Sequence, residues 1–436
     1  MKRFFSYLFL ISLSGFFMVS CKEKETPDET PTSDPSVVVY ECNERLFAQT
    51  KAFQTIEAYV PELERMQVNV LWLMPIHPRG TKNSVGSPYC IQDHLAIDPA
   101  FGTMDDLKSL VNTCHSHHIR VILDWVANHT AWDNAWVSAH PEWFQEAQTD
   151  DERMWKDVTF LDYSQQAVRD TMKACMLYWI HEADIDGFRC DHAHGVPTDW
   201  WKDVNAAILQ AKPTAFLLAE TQNAGLYSAG FQLIYSWSYL TSIENLYSGK
   251  GTINGLISTH NSEMRNTPEG RARLRYVTTH DECSEKAPSS VYTNAAGELS
   301  AFCLTIFMGG VPMIYSSQEL GHMNKINFFD YNILRFTSSN PTHDALVTLM
   351  QAYQNTRDLR LGTQQTGALT DKVAYVEYTR DEHSLLVVCN TTNSAQTAPL
   401  PDAYHGVELK EVLSNEKVTL ESSVTLPAFA YRIFQK

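Results

Sequence analysis

Apolar and polar positions fall into alternating blocks along most of the chain. Residues 68–76 form a continuous apolar run, the pattern of a strand buried on both faces. Residues 37–42 and 120–126 read the same way. Between them Leu107, Leu110, Val111 and Cys114 recur at helical spacing and predict a helix over 105–118. Val168, Met172, Cys175, Met176, Trp179 and Ile180 predict another. Further strands are predicted at 185–190, 215–220, 232–237, 274–279 and 311–316. Strands alternating with helices in this number predict an α/β fold, a (β/α)8 TIM barrel spanning 37–356. Within it, residues 129–164 are rich in tryptophan, show no clear strand, and read as a short insertion lobe over the barrel mouth after the third strand. From 357 the texture changes. Short alternating runs at 373–378, 384–389, 407–413, 417–420 and 430–434, separated by turn residues, predict a C-terminal antiparallel β-sandwich domain, 357–436.

The N-terminus has a different pattern. Lys2 and Arg3 precede an apolar run, 4–19, and then Ser20-Cys21. A basic start and a short apolar core predict a signal peptide over 1–21. Small residues before a cysteine resemble the bacterial lipobox, with Met18 where leucine is usual, and imply lipidation of Cys21. A membrane-spanning helix is the alternative, but the run is short and interrupted by serines. Residues 22–36, rich in Pro, Thr, Glu and Asp, read as a disordered tether. The charged Lys22-Glu-Lys-Glu25 resembles the surface-export signal of Bacteroides-type lipoproteins. The expected location is the outer membrane or cell surface, with the periplasm as second choice, and the lipid anchor as the sole link to a membrane. A monomer is expected.

Composition narrows the partners. The 436 residues carry 34 basic and 51 acidic side chains, a net charge of −17, with no basic cluster past the N-terminus. Nucleic acid is therefore excluded as an expected partner. No C-x-x-C pair occurs among the nine cysteines, so the zinc and thiol-redox classes lose support. Cys114, Cys175 and Cys190 fall on apolar positions and read as buried thiols; disulfide pairing stays open.

The candidate chemistry lies at the strand ends. Arg189 and Asp191 are two residues apart, which places them on one side of a strand, and an arginine keeps such a carboxylate ionised and aimed. Glu220 ends the run 215–220, and Asp281 ends a run that starts at Tyr276. One acid ending a strand commonly marks only the start of a loop. Three of them suggest one site assembled at the mouth of a parallel barrel.

Four segments then stand in order: Asp124-Trp-Val-Ala-Asn-His129, Gly187-Phe-Arg-Cys-Asp191, Leu218-Ala-Glu220 and Thr279-His-Asp281. Together they resemble the conserved regions of the α-amylase family of glycoside hydrolases. The resemblance implies that Asp191 is the nucleophile, Glu220 the general acid/base, and Asp281 a third acid that binds sugar hydroxyls. It implies that Arg189 orients Asp191, that His129 and His280 donate hydrogen bonds to the reacting sugar, that Tyr89 stacks on it, and that Asp124 supports this shell. No cofactor is expected to be required. Asn128 resembles a calcium ligand of the family, with a local cap as the equal alternative. Three departures stand out. His194-Gly195 replaces a Lys-His pair common in amylases acting on long chains, Ser317 stands where glycine is usual, and Phe160-Leu-Asp-Tyr163 matches neither the oligo-1,6-glucosidase nor the neopullulanase motif. The expected activity is retaining hydrolysis of α-1,4 links in starch, maltodextrin or glycogen. The alternatives are a transglycosylase, an α-1,6 or trehalose-type enzyme of the same family, or an inactive glucan-binding lipoprotein.

Overall fold

The computed structural model describes residues 34, 36–337 and 340–436. The expected signal peptide, Cys21 and nearly all of the tether lie outside the described residues. Among the described residues, no helix is long and apolar enough to cross a membrane.

Eight parallel strands close into a barrel. In chain order they are Val39–Cys42, Val70–Leu73, Arg120–Val126, Gly187–Asp191, Phe216–Ala219, Leu233–Ile234, Ala272–Arg275 and Val311–Tyr315. Each strand pairs with its sequence neighbours and the first pairs with the last. The barrel strands are buried along almost their entire length, as the unbroken apolar runs require. The helix predicted at 105–118 is Met104–Ser116, started by a capping box between Thr103 and Asp106. Leu107, Leu110, Val111 and Cys114 form its buried face.

Register fixes the site. Asp124 pairs with Arg189 and Val126 with Asp191, while Cys190 pairs with Ala219. Glu220 therefore emerges level with Asp191, and its N–H donates to the Cys190 carbonyl at 3.0 Å. Gly187 makes this approach feasible. It has φ +140, and a Cβ there would meet the Phe216 carbonyl oxygen at 2.0 Å.

Three sequence expectations are corrected. The seventh strand stops at Arg275, and Asp281 lies in the first turn of the helix His280–Glu285 rather than at a strand end. The cause is local: the Thr279 hydroxyl accepts from the Asp281 N–H at 3.2 Å and starts that helix. The sixth strand is only Leu233–Ile234, because Trp237 already opens the helix Trp237–Tyr247. The lobe does contain strands. His129–Ala131, Val158–Leu161 and Phe144–Gln145 form a small antiparallel sheet with Val158–Leu161 in the centre. They are too short to show a period in sequence.

The C-terminal domain is a six-stranded antiparallel sheet with a two-stranded sheet, Gln396–Pro399 and Ser423–Leu426, beside it. Ala398, Val424 and Leu426 of the small sheet share one buried cluster with Val373, Leu386 and Phe434 of the large one. Thr363–Ala368, an edge strand that the sequence reading did not predict, has no large apolar residue. All eight described cysteines are buried and free.

At the opposite end of the fourth strand, Asp186 is a structural ion pair. Its carboxylate accepts from Lys212 Nζ at 2.7 Å, His115 Nε2 at 2.8 Å and the Val121 N–H at 2.7 Å. Burial alone would raise its pKa, but the His115 hydrogen bond and the Lys212 charge hold it below 3.8. Asp186→Ala is therefore expected to lower unfolding free energy by about 3–5 kcal/mol at neutral pH, the scale of breaking a buried pair. Since the folded pKa is depressed, this contribution is present above the unfolded value and lost as pH falls through the folded one. Denaturant unfolding of both proteins should show the gap at pH 7 and a narrowing below about pH 4. A gap that stays constant through that range would contradict the assignment.

Candidate active site

Arg189 is the centre of the site. It is fully buried on the fourth strand, and its Nη1 donates to Asp124 Oδ1 at 2.8 Å and Asp191 Oδ1 at 2.9 Å. Its Nη2 lies 3.0 Å from Glu220 Oε1, an ion pair away from ideal hydrogen-bond alignment. One guanidinium thus holds carboxylates from the third, fourth and fifth strands. Its charge compensates acids that would repel one another if left alone in a half-buried cleft. Burial pushes the Asp124 carboxyl upward, and Arg189 works against that shift.

Tyr89 and His280 form the opposite wall. The Tyr89 hydroxyl donates to Asp124 Oδ2 at 3.0 Å and is 2.8 Å from His280 Nε2. His280 Nδ1 contacts Glu41 at the end of the first strand. Burial alone would favour the neutral ring. The Asp281 and Glu41 carboxylates overcome it and push the His280 pKa up to about 10. With both ring nitrogens protonated, the proton order follows: His280 donates to Glu41 and to Tyr89, and Tyr89 donates to Asp124. Both His280 nitrogens face protein groups, with Asp281 Oδ1 3.5 Å from Nε2. His129 behaves in the opposite way. Burial, and then the neighbouring His192, push its pKa down to about 4, so the ring is neutral.

Asp191, Glu220, Asp281, Tyr89, His129 and His280 all border one open cavity of about 440 Å³. Arg189 and Asp124 lie buried behind these residues, bonded to Asp191 and Tyr89 respectively. The structure thus brings all eight predicted site residues together. Glu41 was missed, although it ends an apolar run as the other acids do, and that signal was available. Phe328, Phe329, Met154 and Trp155 also border the cavity and were missed. They come from loops with no periodic signature.

Asn128 was left between a calcium ligand and a cap. Its Nδ2 donates to Glu152 Oε1 at 3.1 Å, tying the third strand to the lobe. Among the described residues, no group of three or more His, Cys, Asp or Glu side chains could hold a metal ion. Ser317, at the glycine position noted above, takes φ +130, a region in which only glycine is at ease.

A family model described as the alpha amylase catalytic domain matches residues 53–160 and 152–364. The chain belongs to the alpha-amylase family. Relatives within it are distant. A cyclomaltodextrinase of Geobacillus thermopakistaniensis is 22% identical over 424 residues, covering 87% of this chain and 69% of that protein. Alpha-amylase 3 of Dictyoglomus thermophilum is 23% identical over 332 residues, covering 66% of this chain and 64% of that protein. Among solved structures, a noncanonic maltogenic alpha-amylase from Thermotoga neapolitana superposes with a TM-score of 0.81 at 25% identity, covering 93% of this chain and 99% of that one. A cyclic alpha-maltosyl-(1→6)-maltose hydrolase from Arthrobacter globiformis shares the fold, with a TM-score of 0.77 at 16% identity, covering 93% of this chain and 99% of that one. Alpha-amylase family membership accounts for the closed barrel and the C-terminal β domain together.

Proposed function

We propose that this protein hydrolyses α-1,4-glucosidic bonds in starch, maltodextrin or glycogen by double displacement, with retention at the anomeric carbon. The observation that carries the reading is the single guanidinium of Arg189 between Asp191 and Glu220, at 2.9 and 3.0 Å, with both carboxylates bordering one open cavity. Retaining glycosidases hold their two carboxyls about 5–5.5 Å apart, too close for a water between nucleophile and sugar. Asp191 attacks the anomeric carbon. Glu220 gives its proton to the leaving oxygen and later takes one from the incoming water. Asp281 is half exposed at a helix start and free to bind sugar hydroxyls as positive charge develops on the ring. Tyr89 presents its ring to the cavity while its hydroxyl is fixed by Asp124, which suits it to stack on a sugar.

Proton NMR of the product, taken before mutarotation, tests the stereochemistry directly. Soluble starch or maltohexaose should release the α-anomer first. An initial β-anomer would place a water, not Asp191, at the attacking position.

A further inference from the structure

Beyond Glu220 the cleft continues into a second cavity of about 450 Å³. Glu220 and His192 border both cavities, whereas Asp191, Tyr89 and Asp281 border the first alone. Since Glu220 protonates the leaving oxygen in the reading above, the second cavity lies where the leaving sugar rests. It also receives any sugar that attacks in the reverse direction. Trp237 and His194 line it as well. Met154 and Trp155 of the lobe border both cavities, so they stand at the junction.

Glu152 holds them there. It opens the short turn Glu152–Met154, and its carboxylate is nearly fully buried. Oε2 accepts from the N–H groups of Gln148 at 2.7 Å and Thr149 at 2.9 Å. Oε1 accepts from Asn128 Nδ2 at 3.1 Å and lies 3.7 Å from His192 Nε2. Asn128 follows the third barrel strand, and His192 follows the nucleophile directly. One buried carboxylate therefore ties the lobe turn to Asn128 and places it beside His192. The Trp155 ring packs edge-on against His192 at 5.0 Å and lies 5.4 Å from His129. A buried carboxylate is costly unless well bonded; here the two Oε2 bonds close the turn and the Asn128 bond fixes it to the barrel.

We propose that Glu152 is a positioning residue for the leaving-group side of the cleft. It fixes Met154 and Trp155 over the junction, where they grip the sugar beside Glu220. They thereby set the preference for sugar leaving groups and sugar acceptors over small ones. This rests on the assignment of Glu220 as proton donor.

The test compares maltotriose with an aryl α-maltoside, in the wild type, Glu152→Ala and Met154→Ala. Glu152→Ala should raise KM for maltotriose about tenfold with a smaller fall in kcat, the mark of lost binding rather than lost chemistry. Its kcat/KM on the aryl substrate should fall at least about fivefold less, because displacement of the turn matters chiefly where a sugar must be gripped. Met154→Ala should shift the same ratio about threefold in the same direction. Met154 is 76% exposed, so its truncation leaves the fold intact and decides the matter if Glu152→Ala does not fold. Equal losses on the two substrates, or an unchanged KM for maltotriose, overturn the proposal. A wild type that cleaves neither substrate overturns the function itself, and is told apart from the first result before any variant is made.

Discussion

Asp191→Asn should abolish turnover on every glucan that the wild type cleaves, by roughly 10⁴-fold or more, the scale on which loss of a covalent nucleophile acts. The substitution keeps the shape of the side chain and leaves Asp124 and Glu220 on Arg189 at 2.8 and 3.0 Å. The loss is therefore chemical rather than structural, and thermal unfolding should change little. A glycosyl fluoride that labels the enzyme slowly gives an independent readout. Mass spectrometry of the wild type should find one glycosyl adduct, on the peptide that carries Asp191, and none in the variant. Residual turnover above about one per cent of wild type, or an adduct on Asp281, would remove Asp191 from its assigned role.

Asp191 was legible because a strand has a period of two. Arg189 and Asp191 had to share a face, and in the folded chain they are 2.9 Å apart. Glu220 was legible for a related reason: an acid that ends an apolar run in a parallel barrel has the mouth to face. Asp281 was found through the same rule, yet the reason was wrong. It reaches the cavity from a helix start set by Thr279, not from a strand end. The chain between Arg275 and Thr279 remains buried, and Asp281 still borders the cavity.

Glu41, Glu152 and Trp155 mark the limit. Glu41 carries the same signal as the others, but its role depends on His280, 239 residues away. Glu152 has one short local signal, the Thr149-Asp-Asp-Glu152 spacing of a capping box: the Thr149 hydroxyl accepts from the Glu152 N–H at 3.1 Å, and Glu152 Oε2 accepts from the Thr149 N–H at 2.9 Å. Its contact with Asn128, 24 residues away, is the tertiary part that no such window contains. The lobe strands and the edge strand Thr363–Ala368 were missed for the corresponding reason. Segments of two to six residues are too short to show a period and are held by their neighbours rather than by their own propensity.

Glu220→Gln should separate the two chemical steps. In the wild type Glu220 Oε2 accepts from the His192 N–H at 2.6 Å, and Oε1 faces Arg189 at 3.0 Å. A glutamine keeps an acceptor for His192 but has no proton to give and no charge to take one up. With a sugar leaving group, protonation of the bridging oxygen is required. The kcat/KM for malto-oligosaccharides should then fall about 10²–10⁴-fold, the range of general acid catalysis. A nitrophenolate or fluoride leaves without help, so the first step on such substrates should be largely spared. The second step still needs a base to activate water, so the variant should accumulate as a glycosyl-enzyme on Asp191. Stopped-flow measurement should therefore show a burst of nitrophenol equal to the enzyme, followed by a slow steady state. Azide needs no deprotonation and should relieve that slow phase, releasing an α-glycosyl azide with the configuration of the substrate. Equal losses on sugar and nitrophenol substrates, with no burst and no response to azide, would show that Glu220 serves binding alone. The proton donor would then have to be sought elsewhere along the cavity, with Asp281 and Asp157 as the remaining carboxyls among its lining residues.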